Sequence, residues 1–176
     1  MKKTILLLLV ISFAFSFSSC EKDDICDGNT ITTPRLVITF YDANNASVTK
    51  NVTNLSIFSE GMDEAVSFSG NTLINGSTVS IPLKVNAEST TFRFILNYGS
   101  TSVVAPANED IIKFNYRTQN IYVSRACGFK TNYTLDSTTP FVHSDATTPD
   151  QKWINVVYVS NPIIANENET HLEIYF

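Results

Sequence analysis

Residues 112–117 read Ile112-Lys113-Phe114-Asn115-Tyr116-Arg117, with apolar and polar side chains in strict alternation. Successive side chains of a strand point to opposite faces, so this period of two predicts a strand with one face in a core. The same period recurs on both sides of it. Phe92, Phe94, Leu96 and Tyr98 share one face, opposite Arg93 and Asn97. Val79, Ile81, Leu83 and Val85 alternate with Ser80, Pro82 and Lys84, and Pro82, which has no N–H to give a ladder, predicts an edge strand. Leu36–Tyr41 is apolar on both faces, as a central strand should be. Thr118-Gln119-Asn120 predicts the turn of a hairpin whose second arm is Ile121–Arg125. Phe129–Leu135, Trp153–Val159 and His171–Phe176 continue the pattern, with Leu172, Ile174 and Phe176 on one face of the last strand. Shorter candidates lie at Leu55–Ser59, Ala65–Phe68 and Ser102–Ala105. Roughly ten short strands, with no sustained 3.6-residue apolar period after residue 20, predict an all-β fold. An antiparallel β-sandwich in a single domain is the expected architecture.

The chain has 176 residues and a formal net charge of −5. Lys2 and Lys3 are the only charges within residues 1–19, so the remainder carries −5 minus 2, or −7. An acidic chain without a basic run makes a poor nucleic-acid binder, because neutralising phosphate supplies most of that affinity. Charge would also repel it from anionic lipid, so any membrane tie must come from elsewhere.

That tie is written at the N-terminus. Met1-Lys2-Lys3 is a positive lead, and Ile5–Phe17 is apolar apart from Ser12 and Ser16. The run falls short of the roughly 20 residues a bilayer-spanning helix needs and fits a signal sequence. Phe17-Ser18-Ser19-Cys20 resembles a lipobox, with Phe17 where leucine is usual. The resemblance implies removal of residues 1–19 and acylation of Cys20, which would anchor the chain firmly in a membrane. Residues 20–34 then form a lipidated, acidic tether, and 35–176 the β-sandwich. Lys22, Asp23 and Asp24 just behind Cys20 are similar to the Lys-acidic-acidic surface-export signal of Bacteroidota lipoproteins. The expected location is therefore the outer membrane, on the cell surface rather than facing the periplasm.

Three cysteines occur. With Cys20 acylated, Cys26 and Cys127 remain, and in an oxidising envelope such a pair is expected to form a disulfide. Closing a loop of about 100 residues is worth roughly 4–5 kcal/mol in the chain-entropy view. Cys20 and Cys26 are six residues apart, a reach of about 20 Å at most, so a Cys26 pinned to the sheet would keep the domain close to the lipid.

Residues 136–152 read as a long polar loop with two prolines, and loops of that length usually bind something or move. His143, Asp145 and Asp150, with Trp153 at the exit, are its candidate binding residues. Trp153 could join the seven tyrosines as a platform for sugars, although a lone Trp beside a strand pattern is more often core. Asp136-Ser137-Thr138 resembles the O-glycosylation signal of exported Bacteroidota proteins, with Ser137 as the acceptor. Glu109 and Asp110 read as solvated residues at a strand start, and Asp42, Asn44 and Asn45 as a turn. No catalytic motif, metal-ligand spacing or phosphate-binding loop stands out, so no cofactor and no metal are expected.

The segments Glu21-Lys22-Asp23-Asp24-Ile25-Cys26, Thr33–Asp42 and Val123-Ser124-Arg125-Ala126-Cys127-Gly128-Phe129-Lys130 resemble an uncharacterised family of Bacteroidota lipoproteins. That resemblance implies lineage, lipidation and domain extent, and carries over no site residues. The expected function is a membrane-anchored, non-enzymatic binding or structural module whose partner is a protein or a glycan. Two narrower alternatives stand beside it. One is a glycan-binding accessory lipoprotein of a nutrient-uptake system. The other is an envelope-assembly factor docking on an outer-membrane protein.

Overall fold

The computed structural model describes residues 25–176 apart from Asn29, Ile31 and Ser69. The signal segment 1–19, Cys20, Lys22, Asp23 and Asp24 lie outside the described residues. Two compact units are distinguished. One joins Tyr122–Phe129 to the N-terminal segment up to Thr30, and the other comprises Ile31–Ile121 and Lys130–Phe176.

Eleven strands follow in chain order: β1 (Leu36–Asp42), β2 (Asn45–Thr49), β3 (Ser56–Ser59), β4 (Thr78–Ile81), β5 (Ser89–Leu96), β6 (Asn108–Ser124), β7 (Gly128–Leu135), β8 (Phe141–Asp145), β9 (Val156–Val159), β10 (Ile163–Ile164) and β11 (Leu172–Tyr175). The fold is all-β, in two sheets. The first has the order β2-β1-β11-β9, with β4 also on β1. The second has the order β10-β7-β6-β5-β3, with β8 also on β6.

Alternation explains the core. Phe92 and Phe94 of β5 and Ile112, Phe114 and Tyr116 of β6 are buried on one face of the second sheet. Leu36, Ile38 and Phe40 of β1, Val79 and Ile81 of β4 and Leu172 and Ile174 of β11 join them from the first sheet in one apolar cluster. Each fully buried side chain of this kind contributes about 1.5–3 kcal/mol. Trp153 bridges the two layers. Its indole N–H donates to the Phe94 carbonyl at 3.1 Å, and its ring lies 6.4 Å from Phe40 and 5.4 Å from Phe176. It is a core residue, so the sugar-platform reading of Trp153 is withdrawn.

Strand placement departs from the sequence expectations at five places. The last strand runs parallel to β1, with Ile38 opposite Leu172 and Phe40 opposite Ile174, in sheets that are otherwise antiparallel. β6 passes straight through Thr118-Gln119-Asn120, and the turn lies at Arg125-Ala126-Cys127, before Gly128 at φ 69°. Positive φ is the geometry glycine tolerates best, and that signal outweighs the polar tripeptide. Ala65–Phe68 makes only isolated bridges. Ser102–Ala105 is a loop that leaves Val103 and Val104 in water. Finally, 136–152 is not one long loop. Its middle is β8, which pairs with Asp110–Phe114 of β6, and this strand carries His143 and Asp145.

The body of the sandwich also begins slightly before residue 35: Pro34 is buried, and Thr33 Oγ1 accepts the Thr131 N–H at 3.0 Å. Pro82 follows directly on β4, an outer strand paired with β1. In the other unit, Cys26 and Cys127 form the expected disulfide, closing a separation of 101 residues.

Candidate functional site

Side chains of β5 and β6 that do not enter the core project from the opposite face of the second sheet. Arg93 pairs across the ladder with Ile111, and Ile95 with Glu109, which makes Arg93 and Glu109 diagonal neighbours. Arg93 Nε and Nη2 donate to the two Glu109 carboxylate oxygens at 2.9 and 2.7 Å. This forked, charge-assisted pair is the strongest polar contact on that face, and it holds the Arg93 guanidinium above its ordinary pKa. Ile95 and Ile111 make an apolar floor beside it. Thr91, Glu60 and the segment after β8 complete an open groove of about 670 Å³, with Ala146, Thr147, Thr148 and Asp150 on its rim.

The rim is fastened by carboxylates. Asp145 Oδ1 accepts the Ala146 N–H at 2.8 Å and Oδ2 the Gln151 N–H at 3.2 Å. Asp150 Oδ2 accepts the Glu109 N–H at 3.2 Å. Partial burial pushes the Asp150 carboxyl upward, aided by its hydrogen bond to Asp145. Desolvation also acts upward on Asp145, but the N–H donors around it prevail and hold it below the usual carboxylate range.

Asp110 was expected in water, and the structure corrects this: it is fully buried. Its position shares the core parity of Ile112 and Phe114. Oδ2 accepts the Ile154 N–H at 2.8 Å and meets His143 Nε2 at 3.0 Å, while Oδ1 has no partner. The pair therefore joins β6, β8 and the chain entering β9. The other histidine, His171, is fully buried and is committed to the first sheet. Its ring Nδ1 accepts the Val37 N–H at 2.9 Å, and its backbone N–H donates to the Val37 carbonyl at 3.0 Å.

Of the four residues singled out in the polar segment, only Asp150 lines the groove. Asp145 fastens its rim, His143 lies on the core side with Asp110, and Trp153 is buried. Arg93, Glu60, Thr91 and Glu109 were missed as site residues. Their outward parity was readable, but the register that brings Arg93 beside Glu109 was not. Ser137 is exposed next to Asp136, which accepts the Thr138 and Thr139 N–H groups at 2.9 and 2.8 Å. Asp42 likewise caps Asn44 at 2.7 Å, making the turn expected there. Among the described residues, no three His, Cys, Asp or Glu side chains gather as a metal site.

Residues 54–176 match a family of unknown function, DUF6452, and the chain belongs to that family. β1 and β2 precede the matched residues, yet β1 is flanked by β11 on one edge and β4 and β2 on the other. No curated protein matches the chain, and no solved structure does.

Proposed function

Membership of a family of unknown function carries no chemistry over, so we propose from the chain's own residues that it is a lipid-anchored, non-enzymatic binding module of the bacterial outer membrane. In this reading Cys20 carries the lipid, and Lys22, Asp23 and Asp24 direct the protein to the cell surface of a Bacteroidota bacterium. The groove over β5 and β6 holds the partner. The carrying observation is that groove: a forked Arg93–Glu109 pair, Glu60, Asp150 and threonine hydroxyls around an Ile95–Ile111 floor. Hydroxyls and charges beside a small apolar floor suit a glycan or a polar peptide loop, because each polar group can trade a water for a ligand hydrogen bond. In the histidine–carboxylate pair, Asp110 is fully buried and accepts the Ile154 N–H, a structural contact that ties β6 to the chain entering β9.

The envelope-assembly alternative has an observation of its own. β9 ends the order of the first sheet and exposes Val156 and Tyr158, a strand edge on which another chain could add.

The test joins location to binding. Intact cells are treated with a non-permeant protease, and the purified full-length protein is titrated with an oligosaccharide panel beside an Arg93→Ala variant. Shaving of the domain, together with a binding glycan that the variant holds about tenfold more weakly, supports the surface glycan-binding form. Protection until lysis, no glycan binding, and a cross-linked partner mapping to Val156–Val159 favour the assembly factor instead. Cells in which the mature protein lacks any acyl chain refute the anchored reading.

A further inference from the structure

The end of the β6–β7 hairpin carries a feature the groove does not use. Tyr122 and Phe129 are 57% and 69% exposed, and their rings meet edge to face with centroids 5.4 Å apart. The turn between them holds Cys127, bonded to Cys26, and Ile25 beside Cys26 is 83% exposed. Three large apolar side chains thus face water within one small, covalently cross-linked unit.

The short stretch of chain between Cys20 and the cross-link bears on what covers them. Cys20 stands six residues before Cys26, a span of about 20 Å when fully extended. Resting on the proposed acylation of Cys20, we infer that Tyr122, Phe129 and Ile25 form a membrane contact seated in the headgroup region of the bilayer that holds the lipid. The chemistry of the tip fits that occupant. Tyrosine and other aromatic side chains favour the boundary between headgroups and acyl chains. Residues 121–130 contain no acid, unlike the tether and Asp27 on either side of Cys26, and Arg125 at the turn is exposed and can reach lipid phosphate. The disulfide is then a positioning device. It ties the lipid tether to the aromatic tip, so anchoring presents this surface to the bilayer rather than leaving it on a free stalk.

Phe129→Trp reports the depth of the tip. The full-length variant is isolated from membranes, its N-terminal peptide is weighed by mass spectrometry, and it is reconstituted in phosphatidylcholine–phosphatidylethanolamine vesicles with and without brominated phospholipid. Native Trp153, only 9% exposed, supplies the reference emission. The expected result is an acylated Cys20 and an added indole emission, shifted to the blue, that brominated lipid quenches well beyond any effect on Trp153. The same substitution combined with Cys26→Ser and Cys127→Ser should lose most of that quenching. An acylated Cys20 with unquenched, water-like added emission overturns the tip contact alone. An unmodified Cys20 overturns the anchoring reading, and the tip contact falls with it.

Discussion

Replacing Asp110 by alanine is the sharpest test of how the second sheet is held together. Its Oδ2 takes the Ile154 N–H at 2.8 Å and His143 Nε2 at 3.0 Å, in a site where Asp110 is 0% and Ile154 1% exposed. Asp110→Ala leaves the buried Ile154 N–H without an acceptor and takes the hydrogen-bond partner from His143 Nε2. A stranded buried hydrogen-bonding group costs about 1–3 kcal/mol, and here two groups lose their partner at once. The expected loss is therefore about 3–5 kcal/mol, a large share of the roughly 5–15 kcal/mol that stabilises a domain. Tm should fall by about 6–20 °C, at about 2–4 °C per kcal/mol for a chain of this size. His143→Ala leaves the carboxylate with the Ile154 N–H and should cost less, about 1.5–3 kcal/mol. Because the two side chains meet on one oxygen, their effects should not add. In urea titrations of the disulfide-intact protein, the double variant should fall short of the summed singles by about 1–3 kcal/mol. A coupling below about 0.5 kcal/mol, or an Asp110→Ala cost under about 1 kcal/mol, would refute the reasoning.

Burial lowers the His171 pKa below the 6.5 of a free imidazole, against the opposing pull of Glu169 and Glu167, and its neutral Nδ1 is the acceptor for Val37. The unfolded chain therefore binds a proton that the fold refuses, and stability should fall as pH drops through 6.5 towards the folded value. His171→Asn should flatten that slope in denaturant titrations between about pH 5 and 7. Opening the Cys26–Cys127 bond in a Cys26→Ser, Cys127→Ser variant releases a separation of 101 residues. Its cost should approach, without exceeding, the roughly 4.7 kcal/mol of full loop closure, measured by calorimetry. Gly128 sits at φ 69° with open space where a Cβ would go, so Gly128→Ala should cost about 1–2 kcal/mol through the backbone alone, and Gly128→Asn less.

The residues alone determined that the chain is β throughout and which side chains enter the core, because a period of two leaves no other way to bury Phe92, Phe94, Ile112, Phe114, Leu172 and Ile174. The pairing of Cys26 with Cys127, expected once Cys20 is read as a lipidation site, is the one the structure holds. Pro82 marked an outer strand, because a missing N–H is a property of the residue. What they did not contain is register and order. That β11 lies parallel to β1 depends on where segments 134 residues apart meet, and no local pattern encodes it. The placement of β8 against β6 decides that Asp110 is buried with His143 rather than solvated, and that Trp153 closes the core. The groove exists only because Arg93 and Glu109 fall diagonally across one ladder, two rungs apart on the same face. A strand's alternation gives each side chain a face; only tertiary pairing gives it a neighbour.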